Sequence, residues 1–107
     1  MVELMQLDLQ ALDALPDTVR GPKYARANLS AGIVHIGLGN FHRAHQAWYL
    51  HCLMDLGLAL DWAILGAGVR EADVAQRTKL LAQDCLTTLI ELDPSGKSVE
   101  VIGSMVG

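Results

Sequence analysis

The part of the sequence best suited to bind a ligand is a glycine-containing turn between an apolar run and a helical pattern. The turn contains seven consecutive residues: Gly37, Leu38, Gly39, Asn40, Phe41, His42 and Arg43. In such a strand–turn–helix unit, the glycines let the backbone turn tightly and let a pyrophosphate approach where a Cβ would intrude. The first N–H groups of the helix then face the anion. We therefore expect this turn to bind the phosphates of a dinucleotide.

The spacing of small residues departs from the usual dinucleotide fingerprint. A third small residue would stand at position 42, where this chain has His42, and the next small residue is Ala44. Either the turn is longer than usual, or Ala44 supplies the close contact between helix and strand. A glycine turn without a ligand remains the alternative interpretation at this point.

An acidic residue after the second strand is the second feature of a dinucleotide site, because it accepts hydrogen bonds from the adenosine ribose. Asp73 and Glu71 both follow the apolar run that ends at Val69. Either carboxylate fits this role, and the spacing alone does not choose between them. Both acids also suit a helix start, where the helix dipole favours negative charge. Arg70 offers a third possibility, since an arginine here could bind the 2′-phosphate of NADP.

Four histidines invite a metal-binding interpretation, which the spacing does not favour. His42 and His45 are three residues apart on a predicted helix, but no acidic or cysteine ligand lies close to them in the sequence. We expect no metal site. His42 and Arg43 are expected near the phosphates, whereas His45 and His51 are expected to pack or to cap.

Strands and helices alternate along the chain, which indicates an α/β fold. The patterns predict strands over 32–37 and 62–69, helices over 42–56 and 71–83, and hairpin strands over 86–92 and 99–105. The segment Asp93-Pro94-Ser95-Gly96 is typical of a hairpin turn. Alternation of this kind predicts parallel strands with right-handed crossovers. We expect the first part of a doubly wound parallel sheet, with a β-hairpin near the carboxyl end.

The patterns also predict which surfaces are buried. The continuous apolar run at 32–37 predicts a strand covered on both faces. The helix over 71–83 is expected to direct Val74, Leu80 and Leu81 inward. Leucines and acids before Pro16 predict a short amphipathic helix over 4–15, and residues 17–30 are expected to form a surface loop. We divide the chain into an amino-terminal helix and arm, 1–31, and a partial nucleotide-binding domain, 32–107.

Composition excludes several classes of function. The net charge is −4 and no cluster of lysines or arginines occurs, which argues against nucleic-acid binding. The amino terminus resembles neither a signal peptide nor a transit peptide, and the longest apolar stretch is too short to span a bilayer. We expect no membrane association and a cytoplasmic location. Cys52 and Cys85 are expected to be reduced and packed.

Beyond these general patterns, the segment Gly37–Ala47 resembles the amino-terminal signature of the mannitol dehydrogenase family, the long-chain polyol dehydrogenases. That family opens with Gly-x-Gly-x-Phe-His-Arg-Ala-His, and this chain has the same residues at 37–45. The resemblance covers about Ile33 to Ser104. It continues through five further segments: Asp61-Trp62, Gly66–Arg70, Gln83-Asp84 and the hairpin strands Thr88–Leu92 and Val101–Ser104.

The resemblance implies a Rossmann-like domain that binds NAD. Members of the family are NAD(P)-dependent oxidoreductases that interconvert a sugar alcohol and a ketose, or a uronate counterpart, without a catalytic metal. An acid at the position of Asp73 implies a preference for NAD. The family's catalytic lysine and asparagines lie in a later part of the fold, so none is assigned in this chain. We therefore expect the 107-residue chain alone to lack dehydrogenase activity.

Three other functions stay open on the sequence. A hexuronate reductase of the same family would share every feature above. A methyltransferase could hold S-adenosylmethionine on a similar glycine turn, although the Phe-His-Arg-Ala-His signature argues against it. An α/β unit that binds nothing is the third.

Overall fold

A computed structural model of the chain describes residues 6–107. Its strands and helices follow the predicted alternation, which confirms the α/β fold. The elements, in chain order, are a 3₁₀ helix Gln10–Ala14, β1 Val19–Arg20, a 3₁₀ helix Arg26–Asn28, β2 Ala31–Ile36, α1 Asn40–Ala44, α2 Gln46–Asp55, β3 Ala63–Ala67, α3 Ala72–Ala82, β4 Thr87–Asp93 and β5 Gly96–Ile102.

The fold is built around a parallel sheet. β2 and β3 pair in parallel, with Ile36 opposite Ala67 at the ends that lead into the two helices. On the other side of β3, the Ile64 N–H donates to the Ser104 carbonyl at 2.9 Å, and the Val106 N–H donates to the Ile64 carbonyl at 2.9 Å. β4 and β5 pair with β1 in a separate sheet, whereas the segment 104–106 lies beside β3 and one place further from β2. This outward order is that of the first part of a doubly wound sheet.

The predicted hairpin is present as β4 and β5. Asp93 pairs with Gly96, and the two strands stay in antiparallel register as far as Thr87 and Ile102. The Asp93 carboxylate accepts the Ser95 N–H at 2.8 Å, which closes the turn as an Asx turn. Because this turn is encoded by adjacent residues, the sequence was sufficient to predict it.

The amino-terminal arm is more ordered than a loop, so the prediction for residues 17–30 is wrong in part. β1 pairs in parallel with β5, with Val19 opposite Val99, and a 3₁₀ helix follows. A two-residue strand has no readable periodicity, and its partner lies about 80 residues away, so only the tertiary structure reveals it. The predicted helix over 4–15 is present only as the 3₁₀ helix Gln10–Ala14, and its first two residues lie outside the described residues.

One long helix was predicted over 42–56, whereas the structure has two helices that meet at His45. The backbone of His45 leaves the helical region, with φ −120° and ψ −85°. Its ring Nδ1 lies 2.7 Å from the Phe41 carbonyl oxygen and so donates to it, while the His45 N–H turns to the His42 carbonyl. The side chain thus takes the acceptor that a regular α-helix reserves for the backbone N–H. The helix also begins earlier than predicted, at Asn40.

Two burial predictions are wrong. Val34 and Ile36 are each 67% exposed, so β2 is packed on one face rather than two. On α3, Leu80 is buried as predicted, but Val74 and Leu81 are exposed. The core cluster of the described residues contains Leu38, Ile64 and Ile102 together with residues of α2 and α3. Only the strand and helix surfaces that face this cluster are buried. The apolar character of these segments predicted that both faces of β2 and the apolar side of α3 would be buried, but residues 6–107 do not cover them.

Among residues 6–107, no helix combines the length and the apolar character needed to cross a bilayer.

Candidate cofactor-binding site

The glycine turn lies between the carboxyl end of β2 and the amino end of α1. Gly37 has φ +118°, a conformation that residues with a Cβ rarely adopt, so the fold itself requires glycine there. Its N–H donates to the Ala67 carbonyl at 2.7 Å, which ties the turn to the end of β3. Leu38 is buried in the core cluster, whereas Gly39 and Asn40 are exposed. The turn is therefore anchored at its start and open at its end.

Gly39 differs from Gly37 because nothing in the described fold requires a glycine at this position. Its φ of −78° and ψ of 172° are accessible to any residue. A Cβ built on Gly39 would meet no atom within 4 Å. Within residues 6–107, no side chain caps the first N–H groups of α1. Space for a ligand thus lies directly beside these unpaired backbone donors.

A cleft of about 250 Å³ beside the turn brings most of the predicted site residues together. Six of the nine line it, from two separate helix starts: Leu38, Gly39, Asn40, Arg43, Arg70 and Asp73. The carboxyl ends of neighbouring parallel strands meet at one edge of a sheet, so β2 and β3 deliver these two helix starts to the same place. Glu71, the alternative acid, is exposed and does not line the cleft.

Asp73 is held firmly at the first turn of α3. Its Oδ2 accepts the N–H groups of Val69 at 3.1 Å and Arg70 at 3.0 Å. Its Oδ1 lies 3.7 Å from the Arg70 guanidinium. The Arg70 N–H is the largest cause of the lowered pKa of Asp73, so this carboxyl is ionised at neutral pH. The arrangement fixes the loop after β3 and leaves Oδ1 as the oxygen free of backbone hydrogen bonds.

Arg43 lies across the turn from Asp73. Its Nε donates to the Gly39 carbonyl at 3.4 Å, and its guanidinium also donates to the Asn40 side chain. These contacts fold the arginine back over the turn instead of releasing it to solvent. Arg43 and Arg70 therefore place two positive charges beside a cleft that holds one carboxylate. The net charge of these three side chains is +1, which favours an anionic ligand.

The three other predicted residues, Gly37, Phe41 and His42, line a larger apolar cavity of about 590 Å³ that shares Gly39 with the cleft. Two stacked ring pairs form part of its wall. The His35 and His42 rings are parallel within 7° with centroids 3.5 Å apart, and Phe41 stacks on His45 at 4.0 Å. The cavity extends the site from the phosphate-sized cleft toward the amino-terminal half of α2.

His42 is the buried polar group of this cavity. It is 6% exposed, and neither ring nitrogen has a hydrogen-bond partner among the described residues. Burial is the largest cause of the lowered pKa of His42, and His35 lowers this pKa to a smaller extent. The neighbouring Gln46 amide raises the pKa of His42, although the two side chains form no hydrogen bond of regular geometry. His42 is therefore neutral at pH 7, and its buried ring donor and acceptor are both unpaired among the described residues.

Several residues that line the two cavities were not predicted from the sequence. Gln76 lies in the cleft one helical turn after Asp73, a spacing that the pattern of α3 already contained. Tyr49 and His35 line the larger cavity. For His35 the signal was also present, because a strand residue two before Gly37 points to the same face as the start of the turn.

Comparison with known proteins identifies the family. A family model described as the mannitol dehydrogenase Rossmann domain matches residues 31–107. A mannitol 2-dehydrogenase from Cereibacter sphaeroides is 59% identical over 90 residues, which are 84% of this chain and 19% of that protein. A polyol:NADP oxidoreductase from Gluconobacter oxydans is 42% identical over 99 residues, which are 90% of this chain and 20% of that protein.

A solved structure is also similar over most of the chain. The mannitol 2-dehydrogenase of Pseudomonas fluorescens, in a ternary complex with NAD and D-mannitol, superposes with a TM-score of 0.91 at 48% identity. The match covers 95% of this chain and 21% of that one. The chain thus spans about a fifth of the length of these relatives. Because the family model matches 31–107, the chain belongs to the mannitol dehydrogenase family through its Rossmann domain.

Proposed function

We propose that the chain binds NAD in the cleft beside Gly39 and serves as the cofactor-binding part of a polyol dehydrogenase. The observation that carries this proposal is the open space at Gly39, a glycine that the described fold does not need. A pyrophosphate that approaches the backbone at this point would need that space. The similar Pseudomonas fluorescens enzyme, whose complex contains NAD, supports a dinucleotide as the ligand.

In this proposal the pyrophosphate lies over Gly39 and Asn40, where the unpaired N–H groups of α1 donate to it. Arg43 adds a positive charge at the same end of the cleft. The Oδ1 atom of Asp73 accepts a hydroxyl of the adenosine ribose, because Oδ2 already accepts two backbone N–H groups. Residues 32–107 then act as the cofactor-binding unit, and the described residues of the amino-terminal part, 6–31, form an arm beside it.

We further propose that NAD is preferred to NADP. The ionised Asp73 carboxylate repels a 2′-phosphate and binds a free 2′-hydroxyl. Arg70 opposes this preference, since its guanidinium lies 3.7 Å from Asp73 Oδ1 on a side chain that is 75% exposed and could bind the 2′-phosphate. The relative named polyol:NADP oxidoreductase makes the choice of cofactor a question for experiment within this family.

A sugar alcohol is the proposed substrate of the complete enzyme, because relatives over this domain are named mannitol 2-dehydrogenase and polyol oxidoreductase. When bound, NAD would accept a hydride from the carbinol carbon of such a substrate. The residues of this chain bind and orient the cofactor for that step. The apolar cavity with His42 is proposed to receive the part of the cofactor beyond the pyrophosphate.

Calorimetric titration of the full chain with NAD, NADP and S-adenosylmethionine tests the proposal. We expect saturable binding of NAD, weaker binding of NADP and no binding of S-adenosylmethionine. Tighter binding of S-adenosylmethionine than of NAD would show that the glycine turn serves a methyltransferase. Absence of binding to any of the three would contradict a nucleotide site.

A further inference from the structure

A second cluster of polar side chains lies outside the candidate cofactor site. It consists of His51 and Asp55 on α2 and Glu100 on β5. The Nε2 atom of His51 lies 3.5 Å from Asp55 Oδ2 and 3.4 Å from Glu100 Oε2. The His51 side chain is fully buried, while the Asp55 and Glu100 side chains are 16% and 11% exposed. None of the three lines either cavity at the glycine turn.

In each of the three side chains, one polar atom forms a hydrogen bond with a group outside the cluster. The other polar atom of each side chain faces the other two residues. The Lys23 N–H donates to Asp55 Oδ1 at 2.8 Å. The Trp48 indole N–H donates to Glu100 Oε1 at 3.1 Å. The Nδ1 atom of His51 lies 2.6 Å from the Tyr24 hydroxyl. Such outer hydrogen bonds are the usual means by which proteins orient metal ligands.

The remaining atoms converge on one point. His51 Nε2 is buried and has no hydrogen-bond partner among the described residues. It faces Asp55 Oδ2 and Glu100 Oε2, and the three ligand atoms lie within 4.8 Å of one another. A buried nitrogen without a partner is uncommon, because leaving it unpaired costs about 1–3 kcal/mol. Its position between two carboxylate oxygens is what points to a ligand.

We propose that His51, Asp55 and Glu100 bind a single divalent cation, with Zn²⁺ as the best fit. Ligand atoms at about 2.0–2.2 Å from a tetrahedral Zn²⁺ lie about 3.3–3.6 Å apart. The two measured separations from His51 Nε2 fall in this range. One imidazole nitrogen and two carboxylate oxygens form a set that zinc accepts.

Charge and protonation are consistent with a cation. The two carboxylates carry two negative charges, which a divalent ion neutralises. Arg20 is the cation closest to them, at 3.8 Å from Glu100 Oε1, but its side chain is 64% exposed and can move into solvent. With a metal on Nε2, His51 carries its proton on Nδ1 and donates it to the Tyr24 oxygen. The Gly103 N–H, which donates to Nδ1 at 3.3 Å in the structure, would then lose that acceptor.

The competing state has no metal. In it, His51 carries its proton on Nε2 and shares it between Asp55 and Glu100, while Nδ1 accepts the Gly103 N–H. This state gives a buried hydrogen-bond network that joins α2, β5 and the arm. A bound cation would join the same three elements more strongly. The experiment must therefore distinguish bound metal from a shared proton.

The test is equilibrium dialysis of the metal-depleted full chain against Zn²⁺, followed by elemental analysis. We expect one Zn²⁺ for each chain, and visible absorption bands of tetrahedral Co²⁺ when cobalt replaces zinc. In Asp55→Asn, the amide oxygen still accepts the Lys23 N–H, but Zn²⁺ affinity should fall on the order of tenfold or more. The matched control is Glu91→Gln, an exposed acid on the neighbouring strand β4, which should bind zinc as the parent chain does.

His51→Asn is the second variant, because the asparagine side chain keeps a polar group near the position of Nδ1 and removes Nε2. Circular dichroism of each variant establishes that it folds. Where a variant unfolds, the cobalt spectrum of the parent chain decides alone. No bound zinc and no tetrahedral cobalt spectrum would overturn the proposal in favour of the shared proton. Equal zinc binding by the parent and by folded Asp55→Asn and His51→Asn would also overturn it, since the metal would then lie elsewhere.

Discussion

Replacement of Gly39 by valine tests whether this glycine is required for ligand binding rather than for folding. The backbone at Gly39 has φ −78° and ψ 172°, which valine adopts without strain. A Cβ there meets no atom within 4 Å. The substitution also restricts the unfolded chain, so we expect the free energy of unfolding to be unchanged or to rise by about 0.4–1 kcal/mol. Any loss of binding would then arise at the ligand.

The expected loss follows from the hydrogen bonds that valine would block. A pyrophosphate accepts charge-assisted hydrogen bonds from the N–H groups at Gly39 and the start of α1, each contributing about 1.5–3 kcal/mol. Loss of one such bond weakens NAD binding by about 10- to 150-fold. Gly39→Ala, which adds only the Cβ, should give a smaller loss than Gly39→Val.

Calorimetry with NAD measures the loss, and thermal unfolding of the same samples establishes that the variants fold. Ala31→Val is the matched control, because it places a valine at an exposed position at the opposite end of β2. We expect this control to bind NAD like the parent chain. Unchanged NAD affinity in folded Gly39→Val would refute the assignment of the pyrophosphate to this turn.

Three further predictions concern the cofactor preference, pH dependence and activity. Asp73→Asn keeps an acceptor for the two loop N–H groups but removes the charge, so affinity for NADP relative to NAD should rise about tenfold; an unchanged ratio in calorimetry would move the role to another residue. Because burial lowers the pKa of His42, the free energy of unfolding should fall as the pH drops below 6.5, by at most about 1.4 kcal/mol for each pH unit. Urea unfolding should show a flatter pH profile in His42→Gln, and equal profiles would count against the burial of a neutral imidazole. The full chain should not oxidise mannitol with NAD, because its lysines, Lys23, Lys79 and Lys97, are all exposed and line neither cavity; measurable NADH formation would contradict this.

The features that the sequence predicted well are those encoded by neighbouring residues. The hairpin turn at Asp93–Gly96 depends on side chains within four positions, and the strand–turn–helix unit at Gly37 depends on a local need for positive φ. The grouping of Asp73 with the glycine turn also followed, because parallel strands bring their carboxyl ends to one edge. Local chemistry and the handedness of the crossover were enough for these elements.

The features that the sequence did not predict depend on contacts between distant residues or on competing hydrogen bonds. The break at His45 arises because an imidazole competes with the backbone for the Phe41 carbonyl, which helical periodicity does not reveal. Likewise, His51 was expected only to pack or to cap, and its approach to Glu100 was not predicted, because Glu100 lies 49 positions further along the chain. The exposure of Val34 depends on which elements cover β2, which its own apolar character does not encode.

Amide NMR spectra of the full chain can show whether the backbone of the glycine turn binds the phosphates of NAD. On titration with NAD, we expect the largest amide shifts at Gly39, Asn40 and Phe41, with smaller shifts at Arg70 and Asp73. Shifts confined to other parts of the chain, or none at saturating NAD, would contradict it.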